Sequence, residues 1–339
     1  MRSVLQRGPL RERLVWRAPH EASLEELSCV HDTAYLREVH ATSAAGGRRY
    51  GVSTVLPAGG WLGVSLAAGA ALDAADAVLS GSAQRALCLV RPPGHHASRA
   101  ACDGYCFVNN CALAAQRAVA AGHRVAILDI DVHHGNGTQS IFYDRSDVLT
   151  VSMHQNMGQW EEGTSHPETG FVDEVGAADG VGFNVNVPLD LGSGDAAHLS
   201  AFQSIIVPAV DAFQPSFIVV ALGVDGSQFD PNGRQALTMA GYRDLARACR
   251  QLADRHAHGR MVLTLEGGYA LSYAAFCLHA AVEGALNADA LLPDPFLGTY
   301  PDPPISDPNN WRLATQLARM KGDRADAIAQ ASKDGQSGA

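Results

Sequence analysis

Along most of the chain, short apolar runs alternate with longer stretches whose apolar positions recur at helical spacing. Strand-like runs fall at 86–91, 124–131, 147–153, 183–187, 216–222 and 260–265. Val-Ala-Ile-Leu at 125–128 is apolar at every position, the pattern of a strand covered on both faces. Helical stretches lie near 61–80, 109–121, 195–212, 238–257 and 270–287. Gly81 and Gly122 stand where the first two should stop, and Ser23-Leu24-Glu25-Glu26 has the form of a capping box opening a short helix. The alternation predicts an α/β fold, a mostly parallel sheet with helices on both faces. No repeat or low-complexity linker interrupts it, and residues 1–292 read as one domain. Residues 293–308 hold six of the sixteen prolines, which predicts a segment wrapping the surface, followed by a polar helix near 309–330 and a frayed end.

Composition narrows the class. With 339 residues and 47% hydrophobic content, the chain can bury a large core. A net charge of −10 argues against direct binding of nucleic acid or an anionic membrane. The seven cysteines lack paired spacing and read as reduced thiols of a cytoplasmic protein. No signal-like N-terminus and no uninterrupted apolar run of about 18 residues is visible. A homo-oligomer is compatible with all of this.

The candidate chemistry begins where the apolar run at 125–128 ends. An extended segment alternates its faces, so Asp129, Asp131 and His133 should project to one side. Two acids and an imidazole at a buried strand end would each cost several kcal/mol (~2–5) unpaired. A bound cation is the simplest remedy, and oxygen plus nitrogen ligands suit a divalent ion such as zinc. Four more strand-like runs lead into reactive side chains: Arg-Pro-Pro-Gly-His95-His96, His154, Asp225 with Asp230-Pro231, and Glu266-Gly267-Gly268-Tyr269. In open parallel sheets, ligands bind beyond the carboxyl ends of strands. Singly, each has a plainer reading: surface histidines, a helix-capping Asp, a Gly-Gly turn. Together they supply metal ligands, acid/base groups and an oxyanion donor.

The segments RPPGHHA (91–97), GYCFVNN (104–110), DIDVHHGNGTQ (129–139), GVDGSQFDP (223–231) and EGGY (266–269) resemble those of the zinc-dependent histone deacetylase family. That family includes acetylpolyamine amidohydrolases and bacterial deacetylase-like amidohydrolases, and the likeness runs from about residue 24 to 288. Asn136, where other branches carry Asp, resembles class II. The resemblance implies the arginase/deacetylase fold: about eight mostly parallel strands in a single layer flanked by helices. It implies removal of acetyl or related acyl groups from an amine, with one Zn2+ held by Asp131, His133 and Asp225. His96 would be the principal general base, with Asn136 as its partner. His95, oriented by Asp129, would mainly stabilise charge. A neutral amide at 136 should raise the imidazolium pKa of His96 less than a carboxylate would. Tyr269 would donate to the oxyanion. A structural K+ is implied at the side chains of Asp129 and Ser152 and the backbone carbonyls of Asp131, His133 and Met153. For Ser152 the plainer reading is a buried hydroxyl bonded to its surroundings. His134 and His154 read as structural.

The pocket wall departs from the family pattern. Gly104 and Tyr105 match one side of the substrate tunnel. For the other side, either His166 replaces an aromatic ring or Trp160, in an apparent insertion at 156–165, covers the tunnel. Glu161 and Glu162 could place negative charge at the rim, or could be plain solvated carboxylates. Asn232 stands where a polyamine-selective branch carries an acid, which weakens that mode of recognition. Only about two dozen residues precede the Glu-Glu-Leu…His-Asp…Tyr-Leu stretch at 25–36, which is short for the family. Either the start is misplaced or a first strand is missing, leaving a more exposed sheet edge or a gap that a partner subunit covers. The leading expectation is an acyl-amine hydrolase for acyl-lysine or a small acylated amine. Alternatives are an acetylpolyamine or xenobiotic amide hydrolase and, from another class, a non-catalytic metal-dependent acyl-ligand binding protein.

Overall fold

Each of the six strand-like runs forms a strand, and all six join one parallel sheet. The computed structural model describes residues 1–51, 53–156 and 169–302. In chain order the elements begin with α1 (Arg2–Arg7), α2 (Leu24–Leu27), α3 (Thr33–Ala44), β1 (Gly47–Arg49), β2 (Val55–Pro57), α4 (Trp61–Leu79) and β3 (Arg85–Cys88). Next come α5 (Asn110–Ala120), β4 (Val125–Asp129), α6 (Asn136–Phe142), β5 (Val148–Gln155) and β6 (Asn184–Leu189). The chain then forms α7 (Asp195–Ala201), α8 (Val207–Phe213), β7 (Phe217–Leu222), α9 (Met239–His256), β8 (Met261–Leu265) and α10 (Ala274–Ala285).

The sheet order is β3-β8-β7-β4-β5-β6, and β1 and β2 form a separate antiparallel ribbon. Of the eight expected strands, six therefore form the layer among the described residues. The ribbon carries Gly-Arg-Arg and Val-Leu-Pro, three residues each and too short for a periodicity signal. No strand precedes it among the described residues. Instead α1 packs on α10, and Leu5 and Leu10 enter the core.

Strand alternation sorts the core onto two faces. Ala126, Leu128, Val220 and Leu263 face the α7–α10 side, while Val125, Ile127, Val219 and Val262 face α3, α4 and α5. The capping box at Ser23 is formed, with Glu26 N–H donating to Ser23 Oγ and Ser23 N–H to Glu26 Oε2. The helix expected at 195–212 is broken by a π-helical turn at Phe202–Ile206 between α7 and α8. By length and composition, Trp61–Leu79 and Asp195–Phe213 could each cross a bilayer; about half of each window, 56% and 50%, is buried inside the protein, as in core helices. The proline-rich segment is described to Asp302, with Phe296 edge-on to Tyr273 and tilted against Phe229. The helix expected at 309–330 lies outside the described residues.

Candidate active site

Strand β4 is where the sheet order reverses: the chain leaves it for β5 and β6 on one side and returns to β7 on the other. The crevice beyond the carboxyl ends of β4 and β7 is thus the topological switch point of the sheet. Asp129, Asp131 and His133 follow β4, and Asp225 follows β7.

The convergence is not produced by strand alternation alone, which corrects the sequence-based geometry. β4 ends at Asp129, and the chain bends through 131–133. Side chain-to-backbone bonds set the bend: Asp131 N–H donates to Asp129 Oδ1 at 3.0 Å, and His133 N–H to Asp131 Oδ1 at 2.8 Å. Each acid caps the amide two residues on, a local alternative to the strand ladder.

The ligand atoms of Asp131, His133 and Asp225 lie within 4.8 Å of one another. His133 Nδ1 sits 3.1 Å from Asp131 Oδ1 and 3.2 Å from Asp225 Oδ2. Both carboxylates are fully buried. Gly267 N–H donates to Asp131 Oδ2 at 2.7 Å, and Val132 N–H to Asp225 Oδ1 at 3.2 Å. Apart from the His133 ring 3.2 Å away, buried Asp225 Oδ2 has no polar partner among the described residues. Burial and the charge of Asp131 push the Asp225 carboxyl up to about 6. Burial alone would lower the His133 pKa, but the two carboxylates more than offset it and hold it well above the ordinary imidazole range. The cluster therefore favours added positive charge. Two acids, one imidazole and an orphaned buried oxygen fit a divalent cation.

The tandem histidines arrive from the β3 side. His95 Nδ1 lies 2.9 Å from Asp129 Oδ2 and His96 Nδ1 2.6 Å from Asn136 Oδ1, with the two rings 4.0 Å apart. Burial opposes protonation of His95, yet Asp129 and Asp131 together raise its pKa to about 10 in the protein's own field. Buried Glu266 clamps the loop, accepting from Gly94 N–H at 2.6 Å and His95 N–H at 3.1 Å. Arg91 donates to the carbonyls of Glu266 and Gly268. Asn109 caps α5 and donates from its side chain to the Ala97 carbonyl at 3.1 Å, tying helix start to histidine loop. Gly104 lies flat against His96: a Cβ there would stand 2.2 Å from the ring.

Tyr269 faces the same pocket, its ring 5.8 Å from that of Tyr105. Asp230 holds this turn by accepting from Tyr269 N–H at 2.7 Å and Ala270 N–H at 3.0 Å. Burial and the charges of Asp225 and Asp131 raise the phenol pKa, keeping it a hydrogen-bond donor. The pocket encloses about 270 Å³ and also reaches Gln155, Asn232 and Arg234.

Asp129 and Ser152 are register partners on β4 and β5. Ser152 Oγ lies within hydrogen-bond distance of His154 Nδ1 (2.9 Å) and His134 Nδ1 (3.2 Å) and accepts from Gly135 N–H, which is the plainer reading made of it. Met153 is buried beside it. Trp160, Glu161, Glu162 and His166 lie outside the described residues. Sequence reasoning assigned no role to Glu266, Asp230, Arg91 or Arg234. For Glu266 and Asp230 a signal existed, an acid directly beside a Gly-Gly or Pro turn at a buried strand end. Arg234 gave none.

The Histone deacetylase domain matches residues 1–285. Histone deacetylase 8 of Arabidopsis thaliana is 43% identical over 311 residues, covering 91% of this chain and 79% of that protein. A histone deacetylase-like amidohydrolase of Pseudomonas aeruginosa is 41% identical over 297 residues, covering 87% and 77%. The crystal structure of an acetylpolyamine aminohydrolase from Burkholderia pseudomallei superposes with a TM-score of 0.72 at 32% identity, covering 81% of this chain and 86% of that one.

Proposed function

The chain belongs to the histone deacetylase family, and from that premise we propose that it hydrolyses the amide bond of an acylated amine, with a zinc ion held by Asp131, His133 and Asp225. The observation that carries this reading is the placement of three metal-type ligands, two paired imidazoles and a protonated phenol around one pocket. When bound, the ion supplies Lewis-acid polarisation and lowers the pKa of a water from about 15.7 towards about 7.

The protein's own groups do the rest. His96 takes the proton from the attacking water and returns it to the departing amine. Asn136 accepts from His96 Nδ1–H, which leaves Nε2 as the basic nitrogen. His95, buried against Asp129, mainly stabilises charge beside the reacting centre. Tyr269 donates its hydroxyl to the oxygen that becomes negative as the carbonyl carbon turns tetrahedral. Buried Asp129 opposite Ser152 supports a structural K+ below the site, with backbone carbonyls of Asp131, His133 and Met153 as further ligands. All seven cysteines are unpaired, which supports a cytoplasmic location.

The decisive experiment is turnover of acetyl-lysine and trifluoroacetyl-lysine reporters by the zinc-loaded protein, with a hydroxamate as competitor. Hydrolysis blocked by the hydroxamate supports the reading. Binding of acyl ligands with no turnover across acyl-lysines, acetylpolyamines and simple amides would instead favour a non-catalytic acyl-ligand binder.

A further inference from the structure

Among the described residues, the outer part of the pocket carries one full charge that the proposed chemistry does not use. Deep in the pocket, Asp131 and Asp225 are fully buried and would be balanced by a divalent ion. Nearer solvent the lining is Ser53, Tyr105, Pro231, Asn232 and Arg234, and Arg234 is the sole charged residue of that group.

Arg234 is exposed, but its backbone and one guanidinium nitrogen are held by hydrogen bonds. Its N–H donates to the side chain of buried Gln155 at 2.9 Å, and its carbonyl accepts from Gly192 N–H at 2.7 Å. The preceding residue is pinned too: a Cβ on Gly233 would stand 1.9 Å from the Asp225 carbonyl oxygen, so the loop lies directly on the backbone of a metal-type ligand. On the side chain, Nη1 donates to the carbonyls of Pro231 (3.1 Å) and Gly233 (2.8 Å). Carbonyls orient a guanidinium without neutralising it. No carboxylate pairs with Arg234 among the described residues, and its other guanidinium N–H groups make no hydrogen bond there. A guanidinium oriented by two carbonyls, with no carboxylate partner among the described residues, at the mouth of a substrate pocket is matched in shape and charge to a carboxylate.

We propose that Arg234 is a specificity-determining residue that binds a carboxylate borne on the amine portion of the substrate, outside the tunnel that takes the acyl group. The inference rests on the acyl-amine hydrolase reading and narrows its substrate class. Acyl-lysines with a free α-carboxylate, or acyl-lysines next to an acidic residue, fit. Acylated polyamines, which bring further positive charge to this rim, are disfavoured by Coulomb repulsion.

The test compares matched pairs that differ only in this charge. The first is α-N-capped trifluoroacetyl-lysine as its carboxylate and as its carboxamide. The second is a short peptide with acyl-lysine followed by Glu or by Gln, which tells the substrate's own carboxylate from a neighbouring acid. In the zinc-loaded wild type, kcat/KM should favour the negative member of at least one pair by about tenfold, carried by KM, and 0.5 M salt should shrink the ratio. Arg234→Gln should bring the ratio to near one, Arg234→Lys should retain part of it, and acetylspermidine should become a relatively better substrate in Arg234→Gln. A wild-type ratio near one for both pairs, or a ratio unchanged in Arg234→Gln, overturns the proposal. If the wild type hydrolyses none of these compounds, the hydrolase reading fails on its own. Calorimetric titration of the same pairs into wild type and Arg234→Gln then decides Arg234 separately. Tighter binding of the negative member in wild type alone supports the assignment, and equal binding overturns it.

Discussion

Among the described residues, one cluster of buried charge between two helices and one at the ends of two strands are resolved in opposite ways. Between α9 and α10, fully buried Glu283 accepts from Arg243 Nε at 2.7 Å, lies 2.7 Å from Arg243 Nη2 and accepts from Leu291 N–H at 2.8 Å. His279 Nδ1 lies 3.1 Å away. The charge is met by groups of the chain itself, and the result fastens one helix to another and to the segment after α10. At the ends of β4 and β7, Asp131 and Asp225 are equally buried, but their nearest cationic group is one imidazole shared between them, and Asp225 Oδ2 has no other partner among the described residues. A buried carboxylate given an arginine is architecture. A pair that shares one imidazole, with a second imidazole only at 3.9 Å from Asp131, is a binding site, because the fold tolerates such density only where something else supplies the balance.

The comparison can be broken by removing one member of each cluster. Asp225→Ala should abolish metal binding, with metal analysis falling from near one ion per chain to near none, and should lower turnover by at least about a thousandfold. In the wild type, chelation should lower the melting temperature, since an ion that binds only the folded state stabilises it. Asp225→Ala should be insensitive to chelator. Glu283→Ala should act the other way, leaving the largely covered Arg243 without its partner and costing about 3 kcal/mol of stability in denaturant titration, with metal content retained. If Glu283→Ala lost metal and kept stability, the distinction between the clusters would fail. Tyr269→Phe should leave metal content and stability near wild type and reduce kcat about a hundredfold, the expected loss of one oxyanion donor.

The smallest effect concerns a buried ionisable group kept neutral. His198 donates from Nδ1 to the Gly194 carbonyl at 2.8 Å, and burial pushes its pKa from 6.5 down to about 4. Its folded pKa lies below the unfolded one, so the unfolded chain takes up the proton first. The stability this neutrality contributes is present above pH 6.5 and is lost as the pH falls towards 4. Between about pH 8 and 5 the loss should be about 2 kcal/mol. His198→Asn should flatten that limb of the stability–pH curve, and an unchanged slope would show that another group sets it.

Much of this was legible in the sequence because buried parallel strands are nearly pure apolar runs and ligand sites follow their carboxyl ends. The run 125–128 located β4, and the acids after it located the crevice. What the sequence did not carry was the mechanism of convergence. Strand alternation suggested a shared face for Asp129, Asp131 and His133, whereas acid-to-amide bonds two residues apart make the bend. The π-helical turn inside 195–213 left no mark either, since its apolar positions still fit a helical period. The clamps were hidden for a different reason. Glu266 reaches the amides of Gly94 and His95, 172 and 171 residues away in sequence, and such pairing depends on sheet order, which local patterns do not encode. Arg234 was invisible because an exposed arginine is unremarkable until the pocket it borders is known.

The glycines packed on the buried acids set the bounds within which this protein can diversify. A methyl group on Gly223 would stand 2.0 Å from Asp131 Oδ2, and one on Gly267 would stand 1.8 Å from Asp225 Oδ2. Even alanine is therefore excluded at both places, and a library randomised there should return the parent residue alone. The rim at Asn232 and Arg234 is exposed and has room to vary. New specificities can arise at the mouth while the floor of the pocket stays frozen, which separates the inheritance of the reaction from the choice of what enters it.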